Sequence, residues 1–267
     1  MPPSYTHGHE RAALASHGAR TASNSAAYLL PRLTPGMRIL DIGCGPGSIT
    51  LDLAARVAPG QVIGLENSET PLIAARAAAA ARADATTLFQ IGDALNLPFE
   101  NESFDVVHAH QVLQHLSDPV RALREMQRVC QPGGWIACRD ADYAAMSWYP
   151  ALPGLERWRQ AYCAAARANG GEPDAGRRLR ARARAAGING PQITASAWSY
   201  ADTESCRWLG DGQAARCAGE IFSRQAGEQG LTAADVAEIV DAWRQWGGEA
   251  DAWFCMPHGE LLAQKSR

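Results

Sequence analysis

Met37-Arg-Ile-Leu-Asp-Ile-Gly-Cys-Gly-Pro-Gly-Ser-Ile-Thr50 is the stretch on which the fold turns. The run Arg38 to Ile42 has the length and aliphatic content of a buried parallel strand, and it collapses at once into three closely spaced glycines. Gly43, Gly45 and Gly47 permit a left-handed backbone and let main chain approach a ligand with no Cβ in the way. From Ser48 the pattern reopens as a helix, with Ile49, Leu51, Leu53 and Val57 at roughly helical spacing and Pro59-Gly60 as its stop. Strand, glycine loop and helix N-terminus in that order form a cofactor cradle in doubly wound α/β folds, because the first N–H groups of the helix face the ligand.

The spacing of the loop discriminates between cofactors. A dinucleotide fingerprint runs G-x-G-x-x-G, whereas this loop runs G-x-G-x-G and carries an acid, Asp41, two residues before its first glycine. A dinucleotide-dependent oxidoreductase is therefore disfavoured. Asp41-Ile-Gly-Cys-Gly-Pro-Gly47 instead resembles the first motif of class I S-adenosylmethionine-dependent methyltransferases. That resemblance implies that Gly43 and Gly45 pass under the methionine part of S-adenosyl-L-methionine, and that Asp41 acts on its amino end directly or through water.

Working outward, Gln61-Val-Ile-Gly-Leu-Glu66 is a second strand ending in an acid about twenty residues beyond the loop, where doubly wound folds bind ribose hydroxyls. A carboxylate can accept from both hydroxyls at once, so Glu66, with Asn67 beside it, is the expected ribose site. A helix over Pro71 to Ala85 leads to a third strand, Leu88 to Ile91, followed by Gly92-Asp93-Ala94. The resemblance implies that Asp93, with Ala94, meets the adenine; the alternative for an acid at this place is a helix cap. Ser103 to Val107 is the fourth strand and ends in His108-Ala-His110, with His108 expected at the cofactor. Asp118-Pro119 opens the next helix as N-cap and first-turn proline, and Gln131-Pro-Gly-Gly134 closes it before a fifth strand, Trp135 to Cys138.

Leu-Arg-Glu-Met-x-Arg-Val-x-x-Pro-Gly-Gly at 123–134 is similar to the signature of the UbiE-type and small-molecule branch of these methyltransferases, and the match covers about 35–140. It implies a Rossmann-like, doubly wound, mostly parallel seven-stranded sheet with helices on both faces and a helical insertion before the last strand. The expected organisation is an N-terminal helical cap over the cofactor mouth, 1–34, and a methyltransferase domain, 35–267. Segments 141–190 and 202–250 are read as insertions that form the substrate pocket or its lid. Within the cap, Thr21 to Leu33 reads as a helix, and Tyr28 is expected either to reach the cofactor or to pack in the core. Pro191 to Tyr200 reads as a sixth strand and Gly259 to Gln264 as the last. Thr232 with Asp235 forms a capping box, stapled by Leu231 and Val236, ahead of the stripe Val236, Ile239, Val240, Trp243.

Composition bounds the function. The chain has 267 residues, 46% hydrophobic and 20% charged, which is a soluble globular profile with room for a substantial core. A net charge of −3 gives no general field for nucleic acid. No Asn/Asp-Pro-Pro-Tyr motif of nucleobase N-methyltransferases follows the fourth strand, so nucleic acid is discounted as a partner. Seven cysteines without a C-x-x-C pair read as reduced core residues, not as disulfides or a zinc site. His7, His9 and His17 make only a weak metal case, and no metal is expected. With no basic start, leader-like run or apolar stretch of membrane length, the expected location is cytoplasmic. The run Arg177 to Arg184 reads as a solvated helix face, with an anionic substrate as the other reading.

Methyl transfer from a sulfonium is an in-line displacement, so the protein has mainly to position the acceptor, exclude water and manage one proton. His110 and His115 stand where a base for a hydroxyl acceptor belongs; their other reading is structural or cofactor-edge contact. For an alkene acceptor, Tyr143, Trp148, Trp198 or Tyr200 could stabilise positive charge through their π faces. The expected activity is methyl transfer to a small, largely apolar metabolite of secondary-metabolite, quinone or prenyl type, leaving S-adenosyl-L-homocysteine. The other function classes are a non-catalytic cofactor-binding or assembly protein on the same fold and, behind it, the oxidoreductase. The oligomeric state does not follow from the sequence.

Overall fold

In the computed structural model, which describes residues 20–266, Arg38–Ile42 forms strand β1 with Ile39, Leu40, Asp41 and Ile42 all buried. Strands β2 (Gln61–Glu66) and β4 (Phe104–His110) flank it in parallel, β3 (Leu88–Ile91) adds outside β2, and β5 (Cys130–Ala141) adds outside β4. The parallel sheet then turns antiparallel through β8 (Trp253–Gln264), which pairs with β5 on one edge and with β7 (Gln192–Tyr200) on the other.

An eighth strand joins the seven expected. β5 covers β8 only from His258 to Gln264, and the three-residue β6 (Ser147–Tyr149) takes up the same edge against Trp253–Cys255. β8 therefore begins six residues earlier than the sequence suggests. Pro257 lies in the gap between the two partners, where Asp142 N donates to its carbonyl at 3.0 Å, so a residue without an N–H is tolerated mid-strand.

The helix expected over Thr21 to Leu33 is broken. Only Ala22–Ser25 (α1) is α-helical, capped by Thr21, and Leu30–Arg32 is a separate 3-10 turn. Ala26 leaves the helical region at φ −136° and ends α1, and Pro31 then falls at the start of the 3-10 turn, where its missing N–H costs nothing. The His7, His9 and His17 readings lie outside the described residues.

Helices α2 (Ser48–Val57) and α3 (Glu69–Ala81) follow β1 and β2, and α4 (Pro119–Val129) follows β4 with Asp118 as its N-cap. One face of the sheet buries Ile39, Val62, Val106, Ala137 and Leu262 against α2 and the segment from Ala22 to Leu33. The other buries Leu40, Val107, Ile136 and Leu261 against α4 and α6 (Leu179–Ala186). Helices α5 (Pro153–Ala168), α7 (Thr203–Cys217), α8 (Glu220–Glu228) and α9 (Ala233–Gly248) pack around a second core of Trp158, Trp243, Trp246 and Phe254. Gly210 and Gly247 let α7 and α9 cross closely, since a Cβ on Gly210 would stand 2.8 Å from Gly247 Cα. The Thr232–Asp235 capping box forms at the start of α9. Among the described residues, no helix is long and apolar enough to cross a membrane.

Candidate active site

The carboxyl ends of β1, β2 and β4 open onto a cleft lined by Gly43, Cys44, Gly45, Glu66, Asn67, Asp93, Ala94, His110, Gln111, Val112, His115 and Arg20. Its floor is the glycine loop. Gly43 and Cys44 donate to Leu65 O at 2.8 and 3.1 Å, which ties the loop to the end of β2. Gly43, Gly45 and Gly47 have φ of 67°, 54° and 79°, the left-handed region in which a side chain is strained. A Cβ on Gly43 would also stand 2.4 Å from Val112 Cγ2, whereas one on Gly45 would point into open space. Gly47 starts α2 without a side-chain cap. The result is a floor of backbone, polar and without bulk. Cys44 sits in it as an intact thiol, its pKa raised by burial and then by the Asp41 and Glu66 carboxylates.

Three acids meet this floor in three different ways. Asp41 is buried, and its carboxylate accepts from Thr50 Oγ1 at 2.6 Å and from His108 Nδ1 at 2.7 Å. Asp41 thus lines the cleft while its oxygens brace β1 against β4 and α2. His108 does not line the cleft; it is fully buried behind Asp41. Glu66 is half-buried at the rim, where Oε2 accepts from Gly45 N at 3.1 Å and Oε1 from Asn67 N at 2.8 Å. These bonds aim the carboxylate along the loop. Asp93 is exposed; Oδ1 caps its own turn through Leu95 N at 2.8 Å, and Oδ2 makes no such bond. Capping therefore occupies one oxygen of Asp93 and leaves the other outside the turn.

The opposite wall comes from the end of β4 and the 3-10 turn Leu113–His115. Gln111 has a left-handed backbone, φ 53°, which is strained for a residue with a side chain and occurs where a site dictates geometry. Its N–H donates to Arg139 O at 2.7 Å, and its side-chain amide meets His258 Nε2 at 2.8 Å. His258 Nδ1 donates to Met256 O at 2.9 Å, so His258 is neutral with Nε2 as acceptor. His110 is 5% exposed, and neither ring nitrogen has a partner. Burial, and then the charges of Arg20 and Arg139, hold its pKa well below the imidazole range. His115 is only partly buried yet is lowered to about 3 by the same desolvation, with Arg20 and Arg216 adding to it. Both histidines present neutral rings to the cleft.

Several expected residues stand elsewhere. Tyr28 does not line the cleft; its hydroxyl is buried without a partner, and burial first, then Cys138 and Glu260, raises its pKa. Tyr143 stacks on Tyr162 at 4.4 Å inside the second core, and Trp148, packed against that core, stacks on Phe254 at 6.4 Å. Trp198 is different, lying 4.5 Å from the His258 ring and beneath the guanidinium of Arg139 at 5.0 Å. Of the arginine run, Arg177 grips Asp142 at 2.6 and 2.7 Å and Arg178 pairs with Glu172 at 2.9 Å.

Sequence reasoning missed Arg139, His258 and Glu260, all buried on the sheet face that carries Asp41, His108 and His110. A signal existed. Charged residues on strands that are otherwise continuously apolar are seldom buried without a partner or a purpose.

Comparison with known proteins agrees with this geometry. A family model described as a methyltransferase domain matches residues 33–183. An uncharacterized methyltransferase of Schizosaccharomyces pombe is 32% identical over 98% of this chain and 96% of its own length. A demethylmenaquinone methyltransferase of Lactococcus lactis is 40% identical over 43% of this chain and 46% of its own. Among solved structures, phosphoethanolamine N-methyltransferase 2 of Haemonchus contortus, in complex with phosphomonomethylethanolamine and S-adenosylhomocysteine, superposes with a TM-score of 0.57. At 18% identity, over 90% of this chain and 52% of that one, it shows a shared fold. With a glycine-floored cleft, an acid at the end of β2 and near full-length likeness to a methyltransferase, this chain belongs to the class I S-adenosylmethionine-dependent methyltransferases.

Proposed function

We propose that this enzyme methylates a small metabolite with a largely apolar body, held against the wall of the cleft that contains His110 and His115. The observation that carries the proposal is the meeting, in one cleft, of the side-chain-free loop at Gly43 to Gly47, the Glu66 carboxylate and two uncharged histidines. The residues present fit S-adenosylmethionine. A Cβ would fill the floor at Gly43, Glu66 is oriented by Gly45, and Asp93 keeps one oxygen for an amino donor.

When bound, the cofactor supplies an activated methyl group on a sulfonium, which a nucleophile displaces in line. The residues of this chain do the rest. Glu66, with Asn67, takes the ribose hydroxyls; Asp93 and Ala94 take the adenine edge; Gly43 and Gly45 bed the methionine part. Asp41 and His108 hold the loop from below. His110, neutral and with both nitrogens uncommitted, is the side chain that can accept a proton from the acceptor, with His115 beside it. Tyr28 belongs to the acceptor side and not to the cofactor. Segments 141–190 and 202–250, with residues 20–34, wall the acceptor region. Trp198 Nε1, on β7, donates to Asn24 O at 2.9 Å and ties residues 20–34 to the sheet. The small-molecule reading is supported by the partial likeness to demethylmenaquinone methyltransferase, which is named for a quinone-type acceptor.

The test is transfer of isotope-labelled methyl from S-adenosylmethionine into a small-molecule extract of the native cells, read by mass spectrometry. A labelled low-mass product supports the proposal and names the acceptor atom. Label confined to macromolecules would contradict it.

A further inference from the structure

His110 on β4, Arg139 on β5, Glu260 on β8 and Thr194 on β7 stand directly opposite one another, one rung across four strands. The rung is buried at its centre, Arg139 being 1% and Glu260 6% exposed. Glu260 is well supplied with donors: Thr194 Oγ1 at 2.6 Å, Ser196 Oγ, and the Arg139 Nε side at 3.5 Å. Arg139 is not equally supplied with acceptors. Nε donates to Ser196 Oγ at 3.1 Å, while Nη1 and Nη2, the edge that normally grips a carboxylate in two parallel bonds, lie below the surface with no partner. The Tyr28 hydroxyl and both nitrogens of His110 are in the same condition.

A buried donor without an acceptor is costly, and native proteins retain few of them. Here they share one side of the sheet, and His110 is both the cross-strand neighbour of Arg139 and a wall of the cleft. The rung therefore joins the cleft at that end. Trp198 lies against the guanidinium and gives its far side an apolar, planar surface.

The geometry points to an acceptor-recognition subsite in which Arg139, flanked by Tyr28 and His110, binds a planar, singly negative pair of oxygens on the methyl acceptor. A carboxylate or an ionised 1,3-dicarbonyl has that chemistry. The inference rests on the methyltransferase reading of the cleft and narrows it: the acceptor carries an apolar body and one delocalised oxyanion. Arg139 is a specificity residue.

The test uses the full chain saturated with S-adenosylhomocysteine, so that an added anion cannot occupy the site of the cofactor carboxylate. Benzoate, dimedone and benzyl alcohol are titrated in turn by calorimetry. Saturable binding of benzoate or dimedone at least about tenfold tighter than benzyl alcohol is expected. Benzoate alone marks the group as a carboxylate and dimedone alone as an enolate. Arg139→Met should weaken the anion by about tenfold or more, and Tyr28→Phe by roughly three- to tenfold. Arg121→Met, on the exposed face of α4, should change nothing. Should Arg139→Met fail to melt cooperatively, Tyr28→Phe carries the comparison, since it deletes one hydroxyl only. Absence of saturable anion binding, or binding unchanged in Arg139→Met and Tyr28→Phe, overturns the inference. Failure of S-adenosylhomocysteine itself to bind overturns the cofactor reading instead, and this inference with it.

Discussion

Asp41 and His108 are opposed residues on adjacent parallel strands, and the His108 Nδ1–H donates to the Asp41 carboxylate at 2.7 Å in a fully buried pair. Thr50 donates to the second oxygen from the first turn of α2. One acid thereby locks β1, β4 and α2 together beneath the glycine loop. Asp41→Asn leaves a single acceptor for two buried donors, so it should cost about 2–4 kcal/mol in urea unfolding. Cofactor affinity, measured by calorimetry on the folded fraction, should fall as well, because the loop rests on this bracing. Unchanged stability would contradict the assignment of Asp41 as a structural brace.

The floor of the cleft tolerates no side chain at its first glycine. Gly43→Ala adds a methyl 2.4 Å from Val112 Cγ2 at a φ of 67°. S-Adenosylhomocysteine affinity should drop by about tenfold or more, and the companion change Val112→Ala should recover part of it by relieving the clash while the backbone strain remains. Full recovery would show that φ is immaterial here; none would show that Val112 is.

Asp140 supplies a pH signature of stability. Its Oδ1 accepts from Gln114 N at 3.1 Å, its Oδ2 is buried without a partner, and burial raises its pKa from 3.8 to about 6. The folded protein then holds a proton that the unfolded chain has already released. Stability contributed by this group is present below about pH 4 and is lost as pH rises through about 6. Asp140→Asn should therefore match the parent in acid and exceed it near neutrality, by about 2–3 kcal/mol at most. Parallel stability curves for the two proteins from about pH 4 to about pH 8 would refute this.

The lowered pKa of the cleft histidines predicts the shape of the rate profile. His110 and His115 stay neutral below the ordinary imidazole range, so methyl transfer should show no acid limb near 6.5 that disappears in His110→Gln. His110→Gln should lower kcat by a larger factor than it raises KM, since it removes the proton acceptor while the Gln amide keeps a hydrogen-bonding group on that wall. The measurement is the rate of labelled-methyl incorporation into the acceptor found in the extract, across pH.

Much of this molecule is legible in its sequence. β2 and β3 fall on the expected residues because each is an apolar run closed by glycine or an acid, a purely local signal. Asp118 and Thr232 act as N-caps because capping is equally local. Glu66, Asp93 and the glycine loop converge on one cleft, as the order of motifs in the chain implies. What stayed hidden depends on distant pairing. Arg139 meets Glu260 across 121 positions only because β8 runs antiparallel beside β5, and neither residue announces the other in the linear chain. Of the two places expected for Tyr28, cofactor or core, its ring packs against the core cluster that contains Ile39 and Val106. Tyr143 and Trp148, offered as π faces for an alkene acceptor, instead pack in and against the second core.

The most direct measurement is calorimetric titration of S-adenosylmethionine onto the parent protein, Glu66→Ala and Asp93→Ala, with circular dichroism to show that each is folded. One site per chain is expected, weakened by about tenfold or more in Glu66→Ala and by a smaller factor in Asp93→Ala. Unchanged affinity in both variants would contradict the assignment of this cleft as the cofactor site.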